Sequence, residues 1–590
     1  MHNKETFIGK VKSVTGSVLS IELDENIQST LPIIDGVLYR VGQVGSFVKI
    51  PLGYVDLYGV VTQVGSEAIP EKLIESNKNF SSRWIKAVLV GEKHGTIFER
   101  GVIQYPIADD LVHLVTSEDL RLIYGGIGDD NSIVVGQVSA SNLPARIDID
   151  RLVNRHCAIL GSTGSGKSNT VSVILEAIAK RSEFKRSRII LIDPHGEYNE
   201  VLKEYSQVFK IGANSKAGEK ELIIPYWALS FQELIKIFPK KLSESQEEYL
   251  RNKVLEKKIE ASTKLNPNPR IEAITADSPI PFSINQLWFD LDDFERQTYE
   301  ENNKPNTATL DKTDPGDAET LKSNKYKPAG IGSASPFVNH SAQSILGFLN
   351  VVRNRIIDQR FKFLFELGDL KPKSDGSIKK NNDLDNLIKS WLGFEKPITI
   401  LDLTAIPSDI MNSVSGSILS IIYEFIYWGQ NLDVGGRQSP VLFVLEEAHN
   451  YLKAGDDSIA SRTVQKISKE GRKYGAGLLL VTQRPSELDE TVLSQCGSII
   501  SLRMVNSSDR GHVKSAVEDS LNDLIELLPS LQTGEGLVMG EITKLPMRTK
   551  FSKAKESKST DPRVSIEWKK SLPGDNYKTV IDLWRNNKIK

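Results

Sequence analysis

Residues Gly161-Ser162-Thr163-Gly164-Ser165-Gly166-Lys167-Ser168 make a complete Gly-x-x-x-x-Gly-Lys-Ser loop. Such a loop curls backbone N–H groups around a polyphosphate. Lys167 is placed to reach the β- and γ-phosphates, and the Ser168 hydroxyl to ligate Mg²⁺. With Asn169 after it, the loop is the expected binding surface for a nucleoside triphosphate. A second group follows the apolar run Val441-Leu442-Phe443-Val444-Leu445, which ends in Glu446-Glu447-Ala448-His449. Carboxylates at the C-terminal end of a parallel strand stand where α/β sheets bind ligands. Glu446 is expected to hold Mg²⁺, through water, and Glu447 to polarise an attacking water.

Three more strand ends carry candidates. Asp193-Pro194-His195-Gly196-Glu197-Tyr198 follows an apolar run. Its Asp193 reads either as the start of a turn or as a metal- or water-orienting group, and His195 as structural. Leu478 to Val481 runs into Thr482-Gln483-Arg484-Pro485, so the Gln483 amide can sense a γ-phosphate. Arg472, in Glu470-Gly471-Arg472-Lys473-Tyr474-Gly475, can offset charge on a transferring phosphoryl group. Lys466, Lys469 and Lys473 read as a solvated helix face.

Elements able to position these groups are visible in the apolar pattern. Cys157 to Leu160 is short enough for a buried strand, and Val171, Ile174, Leu175 and Ile178 share one helix face. Further strands are predicted at Ile189–Ile192, Ile398–Leu401, Val441–Leu445, Leu478–Val481 and Ile499–Leu502, a parallel sheet covered on both faces. The stretch between Lys167 and Glu447 is longer than such a core needs, which requires an insertion. It is placed at 226–394, with helical ends at Phe231–Ile237, Gln246–Ile259, Ser341–Leu367 and Leu384–Trp391. Its polar middle, 300–335, reads as a mobile excursion.

Residues 1–145 differ. Glycines separate short β-branched runs, and Leu19, Ile21 and Leu23 alternate with Ser20 and Glu22. With runs at Val55–Val61, Trp84–Val90 and Ile133–Val138, this half reads as a small β-barrel. The division is therefore a barrel (1–145), a RecA-like α/β core in two parts (146–225 and 395–550), the insertion, and a C-terminal extension (551–590) ending in a helix at Tyr577–Trp584. No apolar run reaches the roughly 18–20 residues of a bilayer span. With no apolar signal core near Met1 and two cysteines in apolar settings, a cytoplasmic protein is expected. A net charge of −2 argues against global affinity for nucleic acid, though not against a local basic channel.

In order and spacing, these motifs resemble the HerA family: a barrel, Asn154-Arg155-His156 before the loop strand, Gly-Ser-Thr-Gly-Ser-Gly-Lys-Ser, Asp-Pro-His-Gly-Glu-Tyr, Glu-Glu-Ala-His, Glu-Gly-Arg-Lys-Tyr-Gly and Thr-Gln-Arg-Pro. The resemblance implies a hexameric, ATP- and Mg²⁺-dependent translocase of double-stranded DNA. It implies that Arg155 acts on the subunit's own nucleotide, that Arg472 is a finger offered to the neighbouring subunit, and that Gln483 is the sensor. Two departures stand out. Glu446 replaces the family's usual Asp, and the long insertion is more similar to bacterial members that work with an effector in anti-phage defence. That effector is a sirtuin-type NAD hydrolase or a nuclease docked on the barrel. Archaeal members pair with the NurA nuclease in DNA end resection. A ring that serves mainly as an ATP-gated scaffold for an effector is the alternative.

Overall fold

The structure is a computed structural model that describes residues 6–25, 41–65, 83–125, 131–139 and 143–554, with short breaks in the last span, and isolated residues within 33–39 and 578–582. Of the helix expected at Tyr577–Trp584, Lys578, Thr579, Ile581 and Asp582 are described and helical, and the other residues fall outside the described ones. Near the N-terminus stand β1 (Phe7–Thr15), β2 (Val18–Leu23), β3 (Phe47–Leu52), β4 (Val55–Gly65), β5 (Trp84–His94), β6 (Ile97–Arg100) and β7 (Leu111–Leu114). They pair in the order β2-β1-β7-β3-β4-β5, and β5 returns to β2, closing a six-stranded barrel with β6 attached to β5. Alternation fills it: Leu19 and Ile21 of β2 point inward with Val11, Ile50, Leu57, Ile85 and Val112, while Ser20 and Glu22 face out.

The second sheet has twelve strands: β8 (Ser132–Val138), β9 (Pro144–Asp148), β10 (Cys157–Leu160), β11 (Arg188–Asp193), β12 (Ser206–Lys210), β13 (Lys220–Glu221), β14 (Ile398–Asp402), β15 (Val441–Leu445), β16 (Ala476–Thr482), β17 (Ser498–Leu502), β18 (Glu535–Gly540) and β19 (Met547–Phe551). Their order is β9-β8-β19-β18-β17-β10-β16-β15-β11-β14-β12-β13. From β17 to β13 every pairing is parallel. Beyond β17 the sheet continues antiparallel. Strands β10, β11 and β14 to β17 are buried along their whole length, as parallel strands covered on both faces must be. The expected architecture, a barrel followed by an α/β P-loop core, is the one observed. Cys157 and Cys496 are buried and free. Among the described residues no helix is long and apolar enough to cross a membrane.

Two expectations change. The run Ile133–Val138 does not belong to the barrel: as β8 it pairs with β19, Gly136 opposite Phe551. A period-two pattern marks a half-buried strand but carries no information about which sheet receives it. The polar stretch 300–335 is laid onto the insertion rather than projecting from it. Leu321 is buried and its carbonyl accepts from Arg353, while Asn324 and Tyr326 donate to Asp293. Polar side chains hold this segment, so apolar periodicity does not report it.

Within the insertion, capping boxes start two helices, Ser230 with Glu233 ahead of Phe231–Lys236 and Ser243 with Gln246 ahead of Glu244–Ser262. Lys258 is 1% exposed, and its ammonium donates to the carbonyls of Trp227, Ala276 and Ser278, tying three segments together.

The short helix Ile149–Asn154, which leads into β10, lies against β16. A Cβ at Gly477 would stand 2.1 Å from the Val153 carbonyl oxygen, so this contact requires glycine. Gly477→Ala is expected to cost about 1–3 kcal/mol as overpacking, lowering the Tm of so large a core by roughly 1–4 °C. A calorimetric scan that superimposes on the parent's would show that the helix seats without this contact.

Candidate active site

The glycine loop, Asp193, Glu446, Glu447 and Gln483 lie at the C-terminal ends of parallel strands. The loop 161–166 follows β10 and opens the helix Lys167–Ala179, whose N-cap Gly166 has φ 105°. That conformation is open to glycine and strained for other residues. The loop is fixed from both sides: Ser162 N–H donates to the Arg503 carbonyl and Gly534 N–H to that of Ser165. Lys167 is folded back, its ammonium 3.3 Å from the Ser162 carbonyl. Burial lowers its pKa, against the opposing pull of Glu447, Glu446 and Glu197.

Glu446 and Glu447 follow β15, two strands from the loop in the sheet. Glu446 is 3% exposed and its Oε2 has no hydrogen-bond partner. Burial, reinforced by Asp193, Glu197 and Glu447, raises its carboxyl well above the usual range. Glu447 stands in the left-handed region (φ 48°), a strained backbone for a non-glycine residue that turns its side chain toward the loop lysine. Burial pushes its carboxyl up, but the His449 hydrogen bond and charge, with Lys167 and His195, outweigh it, and the group sits below the ordinary carboxylate range. His449 Nδ1 lies 3.2 Å from Glu447 and 3.0 Å from the Thr482 hydroxyl, and His195 Nε2 lies 4.0 Å from Glu447. Glu447 is thus an ionised carboxylate held by histidines, the state a general base needs.

Gln483 follows β16, and β10 and β16 pair in register, Leu160 beside Thr482. This brings the Gln483 amide to the loop, where the Thr163 hydroxyl donates to it. Beside this contact opens a polar cleft of ≈ 510 Å³ lined by Ser162, Thr163, Gln483, Arg484, Asn506 and Asp509.

Matches to two sequence families cover this region. "Helicase HerA, central domain" matches residues 133–422 and "Helicase HerA-like C-terminal" residues 417–545. This chain is a P-loop ATPase of the HerA/FtsK superfamily. It is 26% identical to the DNA double-strand break repair helicase HerA of Saccharolobus solfataricus, over 79% of this chain and 77% of that one. It is 27% identical to a probable helicase of Methanocaldococcus jannaschii, over 82% and 81%. Among solved structures, VirB4 of Thermoanaerobacter pseudethanolicus aligns at a TM-score of 0.45 and 16% identity, over 73% of this chain and 99% of that one. The similar helicases are archaeal, so the similarity does not single out a bacterial type.

Three residues of this HerA/FtsK-type site sit differently from the sequence reading. Asp193 is fully buried, and its carboxylate accepts from the N–H groups of His195, Gly196 and Tyr198. Burial pushes it up to about 6. Its oxygens are consumed by the turn, so Asp193 shapes the 194–198 segment rather than facing a metal. Glu197, carried by that turn, accepts a hydrogen bond from the Ser168 hydroxyl. Nothing in the sequence pattern marks it, because a glutamate inside a turn has no periodic signature. Asn169 holds the C-terminal segment, its amide nitrogen donating to the Ser552 carbonyl at 2.8 Å and its oxygen accepting from Ala554 N–H at 3.0 Å.

The third is Arg155. It precedes β10 whereas the loop follows it, so the strand puts about 13 Å between them. Its guanidinium is engaged by Glu541 at 3.2 Å, which also binds Arg151 at 2.9 Å. Arg155 therefore does not reach this chain's own loop. Arg472 lies on that same edge, in the turn Gly471–Tyr474 ahead of β16, exposed and with no ion-pair partner among the described residues.

The Ser168 hydroxyl, a hard oxygen donor, would hold Mg²⁺, and the Glu197 and Glu446 carboxylates stand at the same strand edge. A cation held there would neutralise charge on the transferring phosphoryl group. Lys167→Ala is expected to abolish nucleotide binding. Glu447→Gln is expected to keep it while phosphate release falls at least about 10²-fold. Unchanged phosphate release in Glu447→Gln would move the general base elsewhere.

Proposed function

We propose that this chain is an ATP-driven motor that acts on double-stranded DNA as a ring of six copies, each nucleotide gripped by one protomer's loop and met by the next protomer's arginines. The observation that carries this reading is the separation of Arg472 and Arg155 from the loop. Both stand at the N-terminal edge of strands whose C-terminal edge holds the phosphates' site. In a head-to-tail ring, one protomer's N-terminal edge meets the next one's C-terminal edge, and such an interface closes by rotation. An exposed guanidinium on that edge is then a finger in trans, and Arg155, held by Glu541, joins it there. The names of similar proteins from Saccharolobus solfataricus and Sulfurisphaera tokodaii, DNA double-strand break repair helicases, support DNA as the track.

A second reading, in which the ring docks an effector such as a nuclease or an NAD-hydrolysing enzyme, for DNA end processing or anti-phage defence, is favoured by one surface. At the barrel's free end, the hairpin residues Tyr54 and Ile97 and the neighbouring Ile103 are 99%, 64% and 84% exposed. Contiguous exposed apolar side chains mark contact surfaces. The two readings are compatible, the motor driving what the barrel carries.

A shared site has a direct test. Arg472→Ala and Lys167→Ala should each abolish ATP turnover, the first by about 10³-fold or more with nucleotide binding intact. Mixed one to one, they should regain turnover at about a quarter of the sites, where an intact loop meets an intact arginine. Duplex DNA should stimulate the parent, with binding that weakens steeply as salt rises. A solitary chain with full turnover, or a mixture as dead as its parts, would refute the shared site.

A further inference from the structure

In a P-loop site the hydroxyl after the lysine must present a lone pair to the cation, so its proton has to point elsewhere. Glu446, two strands away, is expected to hold the cation through water, which leaves the acceptor of that proton unassigned. The contacts supply it. The Ser168 hydroxyl donates to Glu197 Oε2, from the turn after β11. Glu446 is 3% exposed, and the hydroxyl set against its carboxyl is that of Tyr198, not that of Ser168. Two features fix Glu197 in place. Asp193 takes three backbone N–H groups of its turn, and Gly196 (φ +70°) has the Thr404 methyl 3.1 Å from where a Cβ would stand. A carboxylate on a turn so tightly determined is a designed acceptor rather than a surface side chain in passing contact.

We propose that Glu197, and not Glu446, is the positioning residue of the metal site: it takes the Ser168 hydroxyl proton as a hydrogen bond and turns the oxygen's lone pairs toward the cation. The side-chain hydrogen bond that the Ser168 hydroxyl makes goes to Glu197 and not to Glu446. Outer-shell partners of metal ligands typically carry 10–100-fold of metal affinity. The inference rests on the Mg²⁺–ATP reading of the loop.

The experiment titrates the full-length chain with a fluorescent ATP analogue, in excess Mg²⁺ and in excess EDTA, and separately with Mn²⁺ followed by electron paramagnetic resonance. The parent should bind the nucleotide more tightly with Mg²⁺; no Mg²⁺ enhancement in the parent would sink the Mg²⁺–ATP reading itself. In Glu197→Gln the enhancement and the Mn²⁺ affinity should fall about 10-fold or more, while affinity in EDTA stays equal or rises, since a negative charge facing the phosphates is gone. Unaltered EDTA affinity also reports a folded site. Glu197→Asp should recover part of the loss, and should carry the comparison if Glu197→Gln does not fold. Glu446→Gln should change the Mg²⁺ enhancement less than Glu197→Gln. An enhancement unchanged in Glu197→Gln, or a larger loss in Glu446→Gln, would overturn the proposal.

Discussion

A parallel strand has two unlike ends, and in this molecule that polarity decides which groups can meet. β17, β10, β16, β15 and β11 run side by side in one direction, so every residue that follows one of them arrives at a single edge. The loop, Gln483, Glu447 and the Glu197 turn are together for that reason alone. Residues that precede a strand are carried to the opposite edge by the same geometry. Arg155 and Arg472 are there, the first clamped by Glu541 and the second free to engage something outside the chain. A catalytic set divided between opposite edges of one sheet cannot assemble within that sheet, whatever its side chains do.

Electrostatics of the loop edge point the same way. Lys167 is buried among Glu447, Glu446 and Glu197, with Asp193 close behind. Several carboxylates near one lysine leave an excess of negative charge in a poorly solvated place, where Coulomb interactions are strong. The chain manages this locally. Asp193 spends its oxygens on backbone N–H groups, Glu447 is ionised between two histidines, and burial favours the neutral form of Glu446. A polyphosphate alone would meet repulsion here, and a divalent cation entering with it would cancel part of its negative charge and stand between it and the acids. The surplus of acids is thus suited to a metal complex of the nucleotide rather than to the free nucleotide, with Lys167 close by at the Ser162 carbonyl.

What the sequence discloses about this edge follows from the same polarity. Five apolar runs read as strands all form, and motifs directly after them land beside the loop, because a strand end is a local feature that sequence reports. The side of a sheet is also legible: Arg155 comes before its strand, and its distance from the loop follows from chain direction. Assigning it to the chain's own nucleotide took a role from resemblance over that geometry. Glu197 and Asp193 exchange parts for a different reason. Which carboxylate of a turn is consumed by backbone N–H groups depends on φ and ψ, not on residue type. The partner of β8 depends on contacts with β19, some 400 positions along the chain. Long-range pairing of that kind leaves no trace in a local window.

The insertion has a role in the same geometry. Its first helix sits against the core helix Met411–Trp428, and Lys236 donates to the Asp457 carbonyl, at the turn that starts the helix Ile459–Glu470. These two core helices meet closely: a Cβ on Gly416 would lie 2.5 Å from the Ala460 nitrogen, and Lys466 lies over the Tyr423 ring while pairing with Glu424 at 3.1 Å. Lys466 is exposed, as are Lys469 and Lys473, the solvated face read from the sequence, and it also spans the helix–helix seam. At the far end of that helix, Gly471 packs against the Ala476 carbonyl, and Arg472 follows immediately. The arginine's exposed side chain thus stands on a backbone held by continuous packing that reaches back to the insertion. In the proposed ring, where this group would enter a neighbour's site, a rigid base is an advantage, since orientation is fixed before contact. The insertion buttresses the helix pair that presents Arg472, and the place where it joins the core is the place where such a support acts.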